Sequence, residues 1–156
     1  MISFRPLVED DFELLLQWLQ RPHVKEWWND GDDTLEKVRQ HYTRNPDETR
    51  RFVLLHPDGR SPCGYFQYYI KPDGVIGVDQ FLADAESLGK GLGSASISKF
   101  IQMIRESHSP SRIVTDPSPD NSRAIRCYEK VGFRHYETVQ NDLGKLAYMM
   151  ELVTGV

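Results

Sequence analysis

Leu88-Gly89-Lys90-Gly91-Leu92-Gly93-Ser94 places glycine at every second position between an apolar run that ends at Leu82 and a second one spaced for a helix. A strand, a glycine-rich turn and an amphipathic helix in that order constrain the chain more than any other feature. Glycines let the backbone approach a ligand closely, and the start of a helix leaves several N–H groups without partners. Those donors, with the positive end of the helix dipole, suit an anion such as a phosphate. The spacing is not that of a P-loop, since no Gly-Lys-Ser/Thr follows. Nor is it the dinucleotide fingerprint, which needs Gly-x-Gly-x-x-Gly in an early βαβ unit. Taken alone, such a turn can equally be only a tight turn.

The remaining pattern supplies the frame. Ile2 to Leu7 reads as a strand. Asp10 and Glu13 then form a capping box for a helix carrying Phe12, Leu15, Leu16 and Leu19, which Arg21-Pro22 ends. Val24 to Asp32 reads as a loop holding Trp27 and Trp28. A second helix starts at Asp33, with Leu35, Val38 and Tyr42 on one face. Strands follow at Arg51–His56, Gly64–Ile70 and Val75–Leu82, joined by turns at Pro57-Asp58-Gly59 and Pro72-Asp73-Gly74, as an antiparallel meander. Next come a helix from about Ser94 to Ser107, a strand at Arg112–Thr115 and a helix from Asn121 to Val131 stopped by Gly132. Two strands joined near Asn141–Gly144 complete the order. The expected architecture is α+β: one domain over residues 1–156, a central mixed, mostly antiparallel sheet flanked by helices.

Bulk properties narrow the function. A net charge of −4, from 23 acidic and 19 basic residues, argues against nucleic-acid binding and leaves room for a cationic ligand. The charge also simply favours solubility. No apolar run is long enough to span a membrane, and Met1 to Pro6 lack a signal-peptide layout, so no membrane partner is expected. Two distant cysteines, Cys63 and Cys127, and five histidines without metal-ligand spacing predict a cytoplasmic protein with no metal.

Thr115-Asp116-Pro117-Ser118-Pro119-Asp120-Asn121, running into Cys127-Tyr128-Glu129-Lys130-Val131-Gly132-Phe133, resembles the hallmark segment of the GNAT superfamily of N-acetyltransferases. The turn at 88–94 matches that family's pyrophosphate loop at Gly91 and Gly93 and departs from it at Leu88, where Gln or Arg is usual. A narrower resemblance, to the aminoglycoside 6′-N-acetyltransferases, rests on Arg21-Pro22-His23-Val24-x-Glu26-Trp27-Trp28, Gly77-Val78-Asp79-Gln80-x-Leu82-Ala83, Leu88 to Gly93 and Asp116-Pro117-Ser118-Pro119. That branch also carries leucine at the departing position.

The resemblance implies the GNAT (acyl-CoA N-acyltransferase) fold, with acetyl-CoA as cofactor and acetyl transfer to a primary amine by direct attack on the thioester. It assigns Leu88, Gly89, Lys90, Gly91, Leu92, Gly93 and Ser94 to the coenzyme pyrophosphate, Phe81 and Asn121 to the pantetheine arm, and Tyr128 to the sulfur as general acid. It assigns Asp79 to the substrate ammonium as proton acceptor, Asp116 to holding a cationic substrate, and Trp27 and Trp28 to the wall of its cleft. Simpler roles stand beside these: Tyr128 as core packing, Asn121 as a helix cap, Asp116 as a turn residue, the tryptophans as core lids. Asp79 is harder to account for structurally, because a carboxylate in an apolar strand must be exposed or partnered.

The expected partner is a small cationic amine such as an aminoglycoside, and the chain is expected to be a monomer or homodimer. The other readings are a GNAT enzyme for another amine, such as a hydroxylysine-type siderophore precursor or a peptide amine, and a non-catalytic acyl-CoA-binding domain.

Overall fold

A computed structural model describes residues 1–58 and 60–153. Gly59, the last residue of one expected turn, and residues 154–156 lie outside the described residues. Seven strands are present among the described residues: β1 (Ser3–Pro6), β2 (Thr49–Leu55), β3 (Pro62–Ile70), β4 (Val75–Leu82), β5 (Arg112–Thr115), β6 (Arg134–Gln140) and β7 (Leu146–Val153). They form one sheet in the order β1-β2-β3-β4-β5-β7-β6. β1 runs antiparallel to β2, β7 runs antiparallel to β5 and β6, and β4 and β5 are parallel. Among the described residues five α-helices accompany the strands: α1 (Phe12–Leu19), α2 (Pro22–Lys25), α3 (Leu35–Tyr42), α4 (Leu92–His108) and α5 (Ser122–Val131). The expected α+β architecture and mostly antiparallel sheet are present.

By contact density the chain divides into two compact units. One comprises Met1–Tyr68 and Gln80–Leu88, the other Tyr69–Asp79 and Gly89–Val156. In the first, Phe12, Leu15, Trp18 and Leu19 of α1 pack with Val38 and Tyr42 of α3 and with Val53 and Tyr65 of the sheet. Burial of such side chains contributes about 1.5–3 kcal/mol each. In the second, Ile97, Phe100, Ile101 and Ile104, the expected inner stripe of α4, are buried, as are Ile113, Val114, Phe133 and Met150.

Three local expectations need correction. The first cap is not Asp10 with Glu13. A short 3-10 turn at Glu9–Asp11 precedes α1, and the Asp11 carboxylate, held by Arg5 at 2.8 Å, accepts from the Val8 N–H at 2.9 Å. α3 is capped by Thr34, whose Oγ1 accepts from the Lys37 N–H at 3.2 Å, while Asp33 pairs with the Lys37 ammonium instead. Part of the expected loop after Arg21 is helical. Pro22 ends α1 but also stands at the first position of α2, where its missing N–H costs nothing.

Candidate active site

The second unit gathers most of the singled-out polar residues, and the parallel β4–β5 ladder explains how. Val75 pairs with Arg112, Ile76 with Ile113 and Gly77 with Val114. Two residues further along the same register, Asp79 stands beside Asp116. The buried Thr115 hydroxyl donates to the Val78 carbonyl at 2.9 Å and locks the strands together next to the two acids. The loop that follows is anchored in turn, as the Tyr148 N–H donates to the Pro117 carbonyl at 2.8 Å.

Asp79 and Asp116 are joined by a side-chain hydrogen bond. Asp116 reaches solvent on one side, while the protein packed around its carboxyl raises its pKa above the ordinary carboxylate value. The bond to Asp79 and the charge of Lys71 oppose that rise. Tyr69 of β3 lies within the field of both acids and of Tyr128 and Tyr136, and burial pushes its phenol pKa far upward, so its hydroxyl keeps its proton. The register of β6 against β7 slips between His135 and Glu137, which places a bulge at Tyr136. Bulges of this kind re-aim a side chain.

Tyr128 is 4% exposed, with its ring edge-on to Phe133 at 5.3 Å between centroids. Its carbonyl accepts from Gly132 and Phe133, so the packing role open to it in the sequence is real and anchors the end of α5. Asn121 caps α5, its Oδ1 accepting from the Ala124 N–H at 3.2 Å.

Gly91, at φ 86°, is the N-cap of α4, and Gly89 also has positive φ. The first backbone bond of the helix runs from Ala95 N–H to Gly91 O at 3.1 Å, so the amides of Leu92, Gly93 and Ser94 lie ahead of it. A Cβ on Gly89 or Gly91 would meet nothing within 4 Å, whereas one on Gly93 would meet Cys127 Sγ at 3.3 Å. The first two glycines therefore serve backbone conformation and open space, and the third serves packing of α4 on α5. This amide-lined, open turn, with exposed Lys90 beside it, fits a pyrophosphate.

The first unit holds Trp27, Trp28, Phe81 and Leu88. The Trp28 ring lies edge-on to Tyr65 at 5.8 Å and to Phe81 at 5.2 Å, and its indole N–H donates to the Tyr42 hydroxyl at 3.1 Å. Trp27 is 43% exposed. Leu88 follows a 3-10 turn and its N–H donates to Ala85 O. Arg21 and His23 of the Arg-Pro-His stretch act structurally, donating to the carbonyls of Ala83 at 2.6 Å and Leu82 at 2.9 Å.

Sequence reasoning missed Tyr69, Lys71, Thr115 and Tyr136. Gly77 was the available signal for the first of these, since glycine inside a strand marks close approach by another group. It also missed a group in the first unit, Asp30, Asp32 and His41, whose ligand atoms lie within 4.8 Å of one another. No histidine spacing announces it. Asp32 Oδ2 accepts from His41 Nδ1 at 2.6 Å.

The acetyltransferase (GNAT) domain family profile matches residues 7–141, and this chain belongs to that family. Aminoglycoside N(6')-acetyltransferase type 1 of Klebsiella pneumoniae is 34% identical over 168 aligned positions, which cover 96% of this chain and 82% of the relative. The solved structure of AAC(6')-Ib in complex with ribostamycin and coenzyme A has a TM-score of 0.89 at 32% identity, covering 97% of this chain and 93% of that one. AAC(6')-Ib in complex with coenzyme A and kanamycin has a TM-score of 0.88 at 33% identity, covering 98% and 95%. The fold is the GNAT fold that the sequence resemblance implied. No helix among the described residues is long and apolar enough to cross a membrane.

Proposed function

We propose that this chain is an acetyl-CoA-dependent aminoglycoside 6′-N-acetyltransferase, working as one catalytic domain over residues 1–156 in the cytosol, where its two unpaired cysteines fit. The observation that carries the reading is the hydrogen-bonded Asp79–Asp116 pair set among Tyr69, Tyr128 and Tyr136. A hydrogen bond between two carboxyl groups requires one of them to hold a proton, and a bound ammonium takes that proton's place by offsetting the repulsion of the ionised pair, so the pair selects a cationic acceptor. The relatives whose structures hold kanamycin or ribostamycin support an aminoglycoside as that acceptor.

The amides of Leu92, Gly93 and Ser94, with Leu88, Gly89, Lys90 and Gly91 shaping the turn, hold the coenzyme pyrophosphate. Phe81 and Asn121 align the pantetheine arm. When bound, acetyl-CoA supplies a thioester whose acyl carbon takes the amine's lone pair as the C–S bond breaks. Asp79 accepts a proton from the ammonium to free that lone pair, and Asp116 holds the acceptor's charge beside it. The Tyr128 hydroxyl delivers the proton that the leaving thiolate needs. Trp27 offers an exposed aromatic face for the acceptor, and Trp28 stiffens the segment that carries it.

Free-thiol release from acetyl-CoA tests the proposal with a panel of kanamycin, ribostamycin, hydroxylysine, spermidine and a lysine-rich peptide. Turnover with the aminoglycosides, lost when the 6′-amine is absent, is the expected result. Turnover confined to the other amines moves the function to another acceptor. Acetyl-CoA binding without any turnover replaces the enzyme with a binding domain.

A further inference from the structure

The Arg21-Pro22-His23 stretch is tied to the end of β4 and the residues just past it by three side-chain hydrogen bonds. β4 closes at Leu82, and the Ala83 N–H makes one more bond to a neighbouring strand, to the Cys63 carbonyl at 2.9 Å. Leu82 and Ala83 are buried, and a buried carbonyl needs a partner. His23 Nε2 donates to the Leu82 carbonyl at 2.9 Å, and Arg21 Nη1 to the Ala83 carbonyl at 2.6 Å. A carbonyl only accepts, so the Leu82 bond fixes a proton on His23 Nε2. The same Arg21 nitrogen donates to Asp84 Oδ1 at 2.8 Å, just before the short turn that leads to Leu88.

α2 has four residues, a single turn with too few internal bonds to hold its own place. Its position comes from the burial of Val24 and from the bonds of Arg21 and His23. Both tryptophans hang on this turn, since the N–H groups of Trp27 and Trp28 donate to the Val24 carbonyl at 3.2 and 2.8 Å. Trp28 is held a second time, by the Phe81 ring and the Tyr42 hydroxyl. Trp27 is 43% exposed, and its backbone is placed through α2.

We propose that Arg21 and His23 are positioning residues for the acceptor: they clamp α2 to the end of β4 and so set the Trp27 face relative to the strand that carries Phe81. This rests on the reading of Trp27 as a wall of the acceptor cleft and of Phe81 as a contact of the pantetheine arm. One strand end then places both reactants, the coenzyme directly and the acceptor through the clamp. An error of about 1 Å in such placement lowers rates by about 10²-fold, although neither residue touches a reacting atom. The clamp also accounts for a stretch of sequence that the proton chemistry leaves unused.

The test is steady-state kinetics with kanamycin and acetyl-CoA varied in turn, for wild type, His23→Leu, His23→Gln and Arg21→Met. In His23→Leu and Arg21→Met, kcat/KM for kanamycin is expected to fall by about tenfold or more, through a raised KM and a lowered kcat. KM for acetyl-CoA changes far less, because the Cys63 bond still holds the end of β4. His23→Gln puts an amide N–H near the place of Nε2 and restores most of the activity. A double-mutant cycle supplies the sharper readout: in a Trp27→Ala background, His23→Leu is expected to have little further effect on KM for kanamycin. A merely structural clamp lowers the melting temperature and leaves these constants unchanged in the folded enzyme. Unchanged constants in both His23→Leu and Arg21→Met overturn the proposal, and so does full additivity with Trp27→Ala. A wild type that leaves kanamycin unacetylated, or a Trp27→Ala enzyme with an unaltered KM for it, instead removes the acceptor wall, and the role of the clamp goes with it.

Discussion

Asp79 and Tyr128 stand at the two ends of the proposed proton path, and their conservative variants separate chemistry from folding. Asp79→Asn keeps the shape but cannot take a proton, and Tyr128→Phe keeps the buried ring against Phe133 but has none to give. Each is expected to lower kcat by about 10²-fold or more with kanamycin, while acetyl-CoA affinity changes far less. Near wild-type rates for both at optimum pH contradict the assigned roles. Asp116 gives a second prediction, in stability. Its pKa is raised in the fold, so the fold favours the neutral acid. The associated stability is complete below the ordinary carboxylate pKa of about 3.9 and is lost as pH rises through the raised value. Asp116→Asn removes that loss and keeps an acceptor for Asp79. Its melting temperature should exceed wild type at neutral pH, and the gap should close on acidification, as followed by thermal denaturation.

At the scale of elements, β4 and β5 were legible to the residue: Val75–Leu82 is bounded by Gly74 and Ala83, and Arg112–Thr115 by Ser111 and Asp116. Apolar runs closed by turn residues leave little choice there. The caps were less legible, because Asp10, Asp11, Asp33 and Thr34 all suit a cap locally, and the ion pairs with Arg5 and Lys37 decide which serve. α4 carries its own prediction. A Cβ added at Gly91 meets no atom within 4 Å, so the cost of replacing this glycine arises from φ 86° rather than from a clash. Gly91→Ala should cost about 1–2 kcal/mol in the left-handed region or tilt the turn amides, raising KM for acetyl-CoA more than KM for kanamycin. Steady-state kinetics with each substrate varied in turn check this, and equal changes in both contradict the assignment of the turn.

For the molecule as a whole, the segment from Thr115 to Phe133 was enough to read the family, because its motif is contiguous. The site was legible only in part. Asp79, Asp116 and Tyr128 each belong to a recognisable stretch, but Tyr69, Lys71 and Thr115 acquire meaning only from neighbours in space: a glycine on the next strand, an acid pair, a carbonyl across a ladder. Substrate class follows from such contacts rather than from motif spacing, which is why the acceptor was the least readable feature of the sequence. The most direct test of the account is the structure of the product formed from acetyl-CoA and kanamycin, determined by NMR. Kanamycin carrying a single acetyl group on its 6′-nitrogen is the predicted result. Acetyl on any other nitrogen, or kanamycin recovered unchanged, contradicts it.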